Sequence, residues 1–156
     1  MRFDKRSAAA LAIFLAAAFL TAAFGAMFTP GAWYASLAKP EWNPPAWLFG
    51  PVWTVLYFVN AVAAWRVWRT GHSKVAIVAW FLHLIPNALW SYFFFGLHRI
   101  DWALIDIILL NFAIIAVIAL FYRRDKVAGL LMLPYLAWVS FAGFLNWTLF
   151  SLNLHI

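Results

Sequence analysis

Aromatic and amide side chains recur at helical spacing in three stretches of this chain. Trp53, Tyr57, Asn60 and Ala64 stand at i, i+4, i+7 and i+11, so they share one face of a helix. His83, Asn87, Trp90 and Phe94 repeat the arrangement, and Tyr135, Trp138, Ala142 and Leu145 form a third stripe with Asn146 beside it. The chemistry open to such faces is recognition rather than bond making. Rings stack on large flat apolar molecules, a few polar tips orient them, and small residues leave room opposite. The plainer alternative is helix-to-helix adhesion, in which Asn and His bond across helices for about 0.6 to 2 kcal/mol and rings fill the core. Three faces of the same make favour a cavity for a planar, polycyclic ligand, although for any one residue adhesion is the simpler account.

Other chemistry is sparse. The chain has no cysteine, which removes disulfides, thiol nucleophiles and thiolate metal sites. His83 is either a haem-iron ligand or a hydrogen-bonded core histidine; His72, His98 and His155 fall in links or the tail without ligand spacing, so no metal site is expected. There is no acid pair on one helix face and no serine or threonine set beside a base, which argues against a dedicated hydrolase. No Walker motif, dinucleotide fingerprint or HExxH is present. Asp106, one turn beyond Trp102, is either a functional intramembrane carboxyl or a group reaching the interface at the positive end of a helix. From Val127 onward there is no Lys or Arg, so the last apolar segment cannot hold a sterol-contact pattern ending in a basic residue.

The elements that carry these faces must lie in a membrane. Of 156 residues 67% are hydrophobic and only 10% charged, with a mean hydropathy of +0.88, against roughly one quarter charged in a soluble domain. Aromatic residues reach 21%, more than two interfacial belts need. Charged residues divide the chain into segments long enough to cross the bilayer, at about 7–28, 46–65, 75–95, 102–121 and 128–149, within which only Asp106 is charged. The expected fold is an all-α integral membrane protein, a five-transmembrane-helix bundle occupying 1–156 as one domain. Pro86 and Pro134 are expected to kink their helices. The link 29–45 carries four prolines and three aromatic residues, and reads either as a structured lid or as an interfacial connector.

Five crossings put the N-terminus and C-terminus on opposite sides. Arg2, Lys5, Arg6, Arg66, Arg69, Lys74, Arg123, Arg124 and Lys126 collect at one end, against Lys39 and Arg99 at the other. In a bacterial inner membrane this asymmetry places the N-terminus in the cytoplasm and the proline-rich loop outside. The net charge of +6 is then a matter of topology, and no nucleic-acid partner is implied. A cleaved signal peptide is the competing reading of the first run; its full-span length and the spacing of Ala18, Ala22 and Ala26 favour a retained, packed helix.

The segments Trp33-Tyr34-Ala35-Ser36-Leu37-Ala38-Lys39-Pro40-Glu41-Trp42-Asn43-Pro44-Pro45-Ala46-Trp47 and Gly50-Pro51-Val52-Trp53-Thr54-Val55-Leu56-Tyr57 resemble the signature of the TspO/MBR family (tryptophan-rich sensory protein, translocator protein, peripheral benzodiazepine receptor). Asn87-Ala88-Leu89-Trp90, Trp102-Ala103-Leu104 and Pro134-Tyr135-Leu136-Ala137-Trp138 through Asn146 continue the resemblance over roughly residues 20 to 147. It implies a pocket beneath the first loop for porphyrins such as protoporphyrin IX and haem, for benzodiazepine-type and isoquinoline ligands, and in some members for cholesterol. No obligatory cofactor is implied, and a homodimer is.

Pocket positions carried over by the resemblance are Tyr34, Trp53, Tyr57, Asn87, Trp90, Trp102, Trp138, Ala142, Leu145 and Asn146; Asn60 and His83 join them from the helical stripes. Three functions stay open: a tetrapyrrole receptor or sensor that modulates porphyrin transport, homeostasis or stress signalling; a light- and oxygen-dependent porphyrin-degrading enzyme acting through Trp53 and Trp138; and a sterol- or lipid-binding scaffold. His83 stands where relatives commonly carry glutamine, and Pro86 precedes Asn87, so that wall of the pocket departs from the family pattern. The small-residue dimer motif of the third helix is also indistinct here. Relatives occur in mitochondrial and bacterial outer membranes, while the charge asymmetry favours an inner membrane.

Overall fold

Apolar runs of this length leave the backbone no partner in hydrocarbon except itself, so they fold as helices. The computed structural model describes residues 4–71 and 73–154; Arg2, His72 and His155 lie outside the described residues. Its elements are α1 (Lys5–Ala26), α2 (Ala32–Ser36), α3 (Ala46–Arg69), α4 (Lys74–Ser91), a π-helical segment (Tyr92–Gly96), α5 (Ile100–Tyr122), α6 (Lys126–Leu131) and α7 (Leu133–Leu152). There is no strand among the described residues. Five helical stretches are long and apolar enough to cross a membrane: α1, α3, α4 with its π-helical extension, α5, and α6 with α7. The protein is an all-α, multi-pass integral membrane protein.

Caps at one end of the bundle are polar side chains. Asp4 accepts from the Ser7 amide at 2.8 Å, Ser73 from the Ala76 amide at 3.3 Å and Asp125 from the Ala128 amide at 3.1 Å, each satisfying a donor that the first helical turn leaves open. This end also gathers the N-terminus and the links after α3 and α5, and is called the basic end below. The opposite, loop end carries α2, the link after the π-helical segment and the end of α7.

The helix ends differ from the sequence expectation in instructive ways. The second span continues past Trp65 to Arg69, because arginines in a last turn suit the helix dipole and can reach the interface. α4 runs unbroken through Pro86, and the irregularity falls in the following π-helical segment, where the Leu97 amide donates to the Tyr92 carbonyl at 2.8 Å. The fifth span is broken rather than kinked: α6 ends at Leu131, Met132 forms the turn, and Pro134 occupies the first turn of α7, where its missing N–H costs nothing.

α1 packs against α3 and α4, α4 against α5, α5 against α6 and α7, and α6 closes on α3. The spans therefore run around the bundle in the order first, second, fifth, fourth, third. Small residues let them approach: Ala18, Ala61, Ala63, Ala64, Ala76 and Ala128 have no exposed surface. Gly129 is the tightest of these contacts, since a Cβ there would stand 2.7 Å from the Tyr122 Cβ and 2.8 Å from its Cα. Two side-chain ties fix the basic end. Arg66 pairs with Asp125 at 2.9 Å, joining α3 to the cap of α6, and the Trp65 indole donates to the Ser7 carbonyl at 2.9 Å.

The first loop is folded onto the bundle. After α2, Leu37 is buried in a cluster with Phe94, Ile100, Ala103, Leu145 and Leu149. The Asn153 amide clamps the next residue from both sides: the Ala38 N–H donates to Asn153 Oδ1 at 2.9 Å, and Asn153 Nδ2 donates to the Ala38 carbonyl at 3.0 Å and to the Leu149 carbonyl at 2.8 Å. Lys39 Nζ donates to the Ala35 and Leu37 carbonyls at 3.2 and 3.0 Å and stands 4.7 Å from the Tyr34 ring centroid.

Candidate functional site

The stripes of α3, α4 and α7 converge inside the bundle, where their polar groups satisfy one another. The Trp80 indole can only donate, and it does so to Asn60 Oδ1 at 2.5 Å, which turns the Asn60 amide nitrogen toward His83 Nε2 at 3.3 Å. Nε2 must therefore accept, and His83 Nδ1–H donates to the Trp80 carbonyl. Both imidazole nitrogens are engaged in a neutral ring, with Asn60 and His83 each only 1% exposed. This leaves no imidazole lone pair for a haem iron. Nearer the loop end, the Tyr57 hydroxyl donates to Asn87 Oδ1, and Asn87 Nδ2 donates to the Tyr135 hydroxyl at 2.7 Å. α3, α4 and α7 are thus stitched across the interior by a polar belt.

Above the belt the site becomes aromatic. Trp53 stacks on Tyr57 with centroids 5.4 Å apart and meets Tyr135 at 6.2 Å. Trp138 lies between Phe49 at 5.7 Å and Phe141 at 5.6 Å, and its buried indole nitrogen has no hydrogen-bond partner among the described residues. Trp90 stacks on Phe94 at 5.0 Å and donates to Asn146 Oδ1 at 2.9 Å, while Asn146 Nδ2 donates to the Ile100 carbonyl at 3.0 Å. Leu145 and Phe94 carry this wall up to the first loop, whose Tyr34 meets Phe94 and Phe95 at 6.0 and 5.5 Å. Burial raises the pKa of the Tyr34 hydroxyl above its ordinary value, partly offset by a contact with Asn43 at 3.5 Å. Trp33 extends the loop packing by stacking on His98 at 4.2 Å.

Tyr57, Asn60, His83 and Asn87 thus form the belt, while Trp53, Trp138, Trp90, Asn146, Leu145 and Tyr34 line the aromatic zone beneath the loop, with Ala142 partly buried against the same core. Trp102 stands apart: it is 47% exposed, meets Phe93 at 5.8 Å and lies under the Arg99 guanidinium at 4.7 Å. Asp106 is 7% exposed, and its Oδ2 has no hydrogen-bond partner among the described residues.

Two contributors escaped the sequence reading. Trp80 lies one turn before His83 and extends that stripe backwards; Asn153 lies seven residues beyond Asn146, on the same face of α7.

Comparison with known proteins covers most of the chain. A family model described as the TspO/MBR family matches residues 10–152. A protein named tryptophan-rich protein TspO from Chlorobaculum tepidum is 44% identical over 83% of this chain and 86% of its own. The tryptophan-rich sensory protein of Cereibacter sphaeroides is 39% identical over 90% and 89%, and the human translocator protein 37% identical over 78% and 75%.

Proposed function

This chain belongs to the TspO/MBR family, and we propose that it is a membrane receptor for tetrapyrroles such as protoporphyrin IX, which it takes up between the first loop and the aromatic zone. The observation that carries this reading is the state of Trp53 and Trp138. Both rings are only partly covered by protein, and the Trp138 N–H is a donor without an acceptor among the described residues. A flat macrocycle bearing carboxylate or pyrrole acceptors complements both properties. Binding in this reading parts the first loop from the end of α7, and occupancy is the signal passed on. Haem is held by stacking rather than by histidine ligation, since His83 is engaged on both sides. The basic end faces the cytoplasm of an inner membrane, following the placement of the cations.

The test is a titration with protoporphyrin IX in the dark, following tryptophan quenching in the native chain, Trp53→Phe, Trp138→Phe and Asn87→Ala. Saturable quenching weakened at least fivefold by the tryptophan changes is expected. Quenching that does not saturate and is equal in all four proteins would assign the signal to partition into detergent. Illumination of the same samples separates receptor from catalyst: product beyond one equivalent per protein, lost in the tryptophan variants, would make the chain an enzyme.

A further inference from the structure

We propose that the basic end holds a second site, for the phosphate group of an anionic phospholipid, in the cavity between the start of α1, the end of α3 and the start of α4. The cavity has a volume of about 660 Å³ and is lined by Arg6, Arg69 and Lys74 against one carboxylate, Asp4. That carboxylate is held as the cap of α1 by the Ser7 amide at 2.8 Å. On the same end Arg66 is paired with Asp125 and lies outside the lining, so Arg6 and Lys74 stand in the cavity apart from that ion pair.

The Arg6 guanidinium lies 5.9 Å from the Trp68 ring centroid and that of Arg69 4.7 Å from the Trp65 centroid. An indole beside a guanidinium restricts the side chain, and the planar N–H fork of an arginine such as Arg6 matches phosphate oxygens. Ser73 adds a hydroxyl donor at the mouth of α4.

The remaining lining decides between a lipid and a free phosphate ester. Ile77 and Val78 form the flank, and Val78 is 54% exposed on the outer surface of α4, in line with Val75 and Leu82. A headgroup seated among the cations would lay its acyl chains along this ridge. A soluble phosphate has the same affinity for the cations and no use for the ridge. This site lies at the opposite end of the bundle from the tetrapyrrole zone and does not depend on it.

The experiment is native mass spectrometry of the full chain in a neutral detergent, with phosphatidylglycerol and phosphatidylcholine of matched acyl chains. Retention of phosphatidylglycerol over phosphatidylcholine is expected. Each cation is worth about fivefold, so Arg6→Gln with Lys74→Gln should weaken retention about thirtyfold. Arg123→Gln with Arg124→Gln, which alters exposed cations of the same end outside the cavity, should change it less than about twofold. Circular dichroism verifies folding, and Lys74→Gln alone, at an exposed side chain, serves if the double variant does not fold. Equal retention of the two lipids, or equal losses in the two double variants, would overturn the site. Displacement by equimolar glycerol phosphate would overturn the lipid assignment.

Discussion

Release of the first loop should follow from a single amide. In Asn153→Ala the Ala38 N–H and carbonyl both lose their partner, as does the Leu149 carbonyl. A typical hydrogen bond contributes roughly 0.5 to 1.5 kcal/mol net. Ala38 is exposed, so water can replace part of what is lost. Three bonds partly compensated in this way amount to about 2 kcal/mol, or about a thirtyfold larger population of the open loop.

Hydrogen exchange measured by mass spectrometry on the segment 31–45 should therefore accelerate about thirtyfold, with the interior of α5 unchanged. Because binding in this reading parts the loop from the end of α7, porphyrin association should quicken by a similar factor with dissociation little changed, and Kd should tighten by up to about thirtyfold. Unchanged exchange in the variant would refute the role of Asn153. Faster exchange without faster association would refute the gate while leaving the clamp.

Further outcomes follow from the belt, the crossings and the topology. Tyr57→Phe keeps the ring on Trp53 but removes the donor to Asn87, so detergent unfolding should show a loss of about 1 kcal/mol with porphyrin affinity changed less than about threefold. Haem bound to His83→Gln should give the optical spectrum of the native complex, because His83 offers no free nitrogen; altered axial-ligand bands would contradict the belt assignment. Gly129→Ala forces a methyl into the Tyr122 backbone and should destabilise by about 1 to 3 kcal/mol, read as a lowered Tm. The native chain has no cysteine, so single Ser36→Cys and Arg124→Cys variants in intact cells test orientation: an impermeant maleimide should label the first and spare the second.

The spans were legible because charged residues mark their ends and hydrocarbon leaves the backbone no other solution. Helical spacing also put Trp53, Tyr57 and Asn60 on one face of α3, where the first two stack and the third bonds the Trp80 indole. It could not tell which members of a stripe would be engaged by neighbours. Tyr57 and Asn87 find each other, whereas Trp138 finds no acceptor among the described residues, and that difference depends on how each helix is rotated about its axis. The Asn153 clamp was hidden because Ala38 is 115 residues away in sequence. Trp102 matched the family's pattern, and its rotation on α5 leaves it half exposed between Arg99 and the edge of Phe93. The break at Met132 lacked a local signal, since no glycine or proline stands there, although Pro134 marked the neighbourhood.

The polar belt has a further consequence for traffic across the bilayer. Tyr57, Asn87 and Tyr135 form a hydrogen-bonded bar from α3 through α4 to α7, and on its basic-end side Ala61 and Ala64 have no exposed surface. A solute moving down the axis would have to break buried bonds and then part close-packed alanines. If the proposed reading holds, one copy of this chain is a blind-ended vessel rather than a conduit. In the proposed reading, a ligand that enters beneath the first loop therefore leaves by the same end.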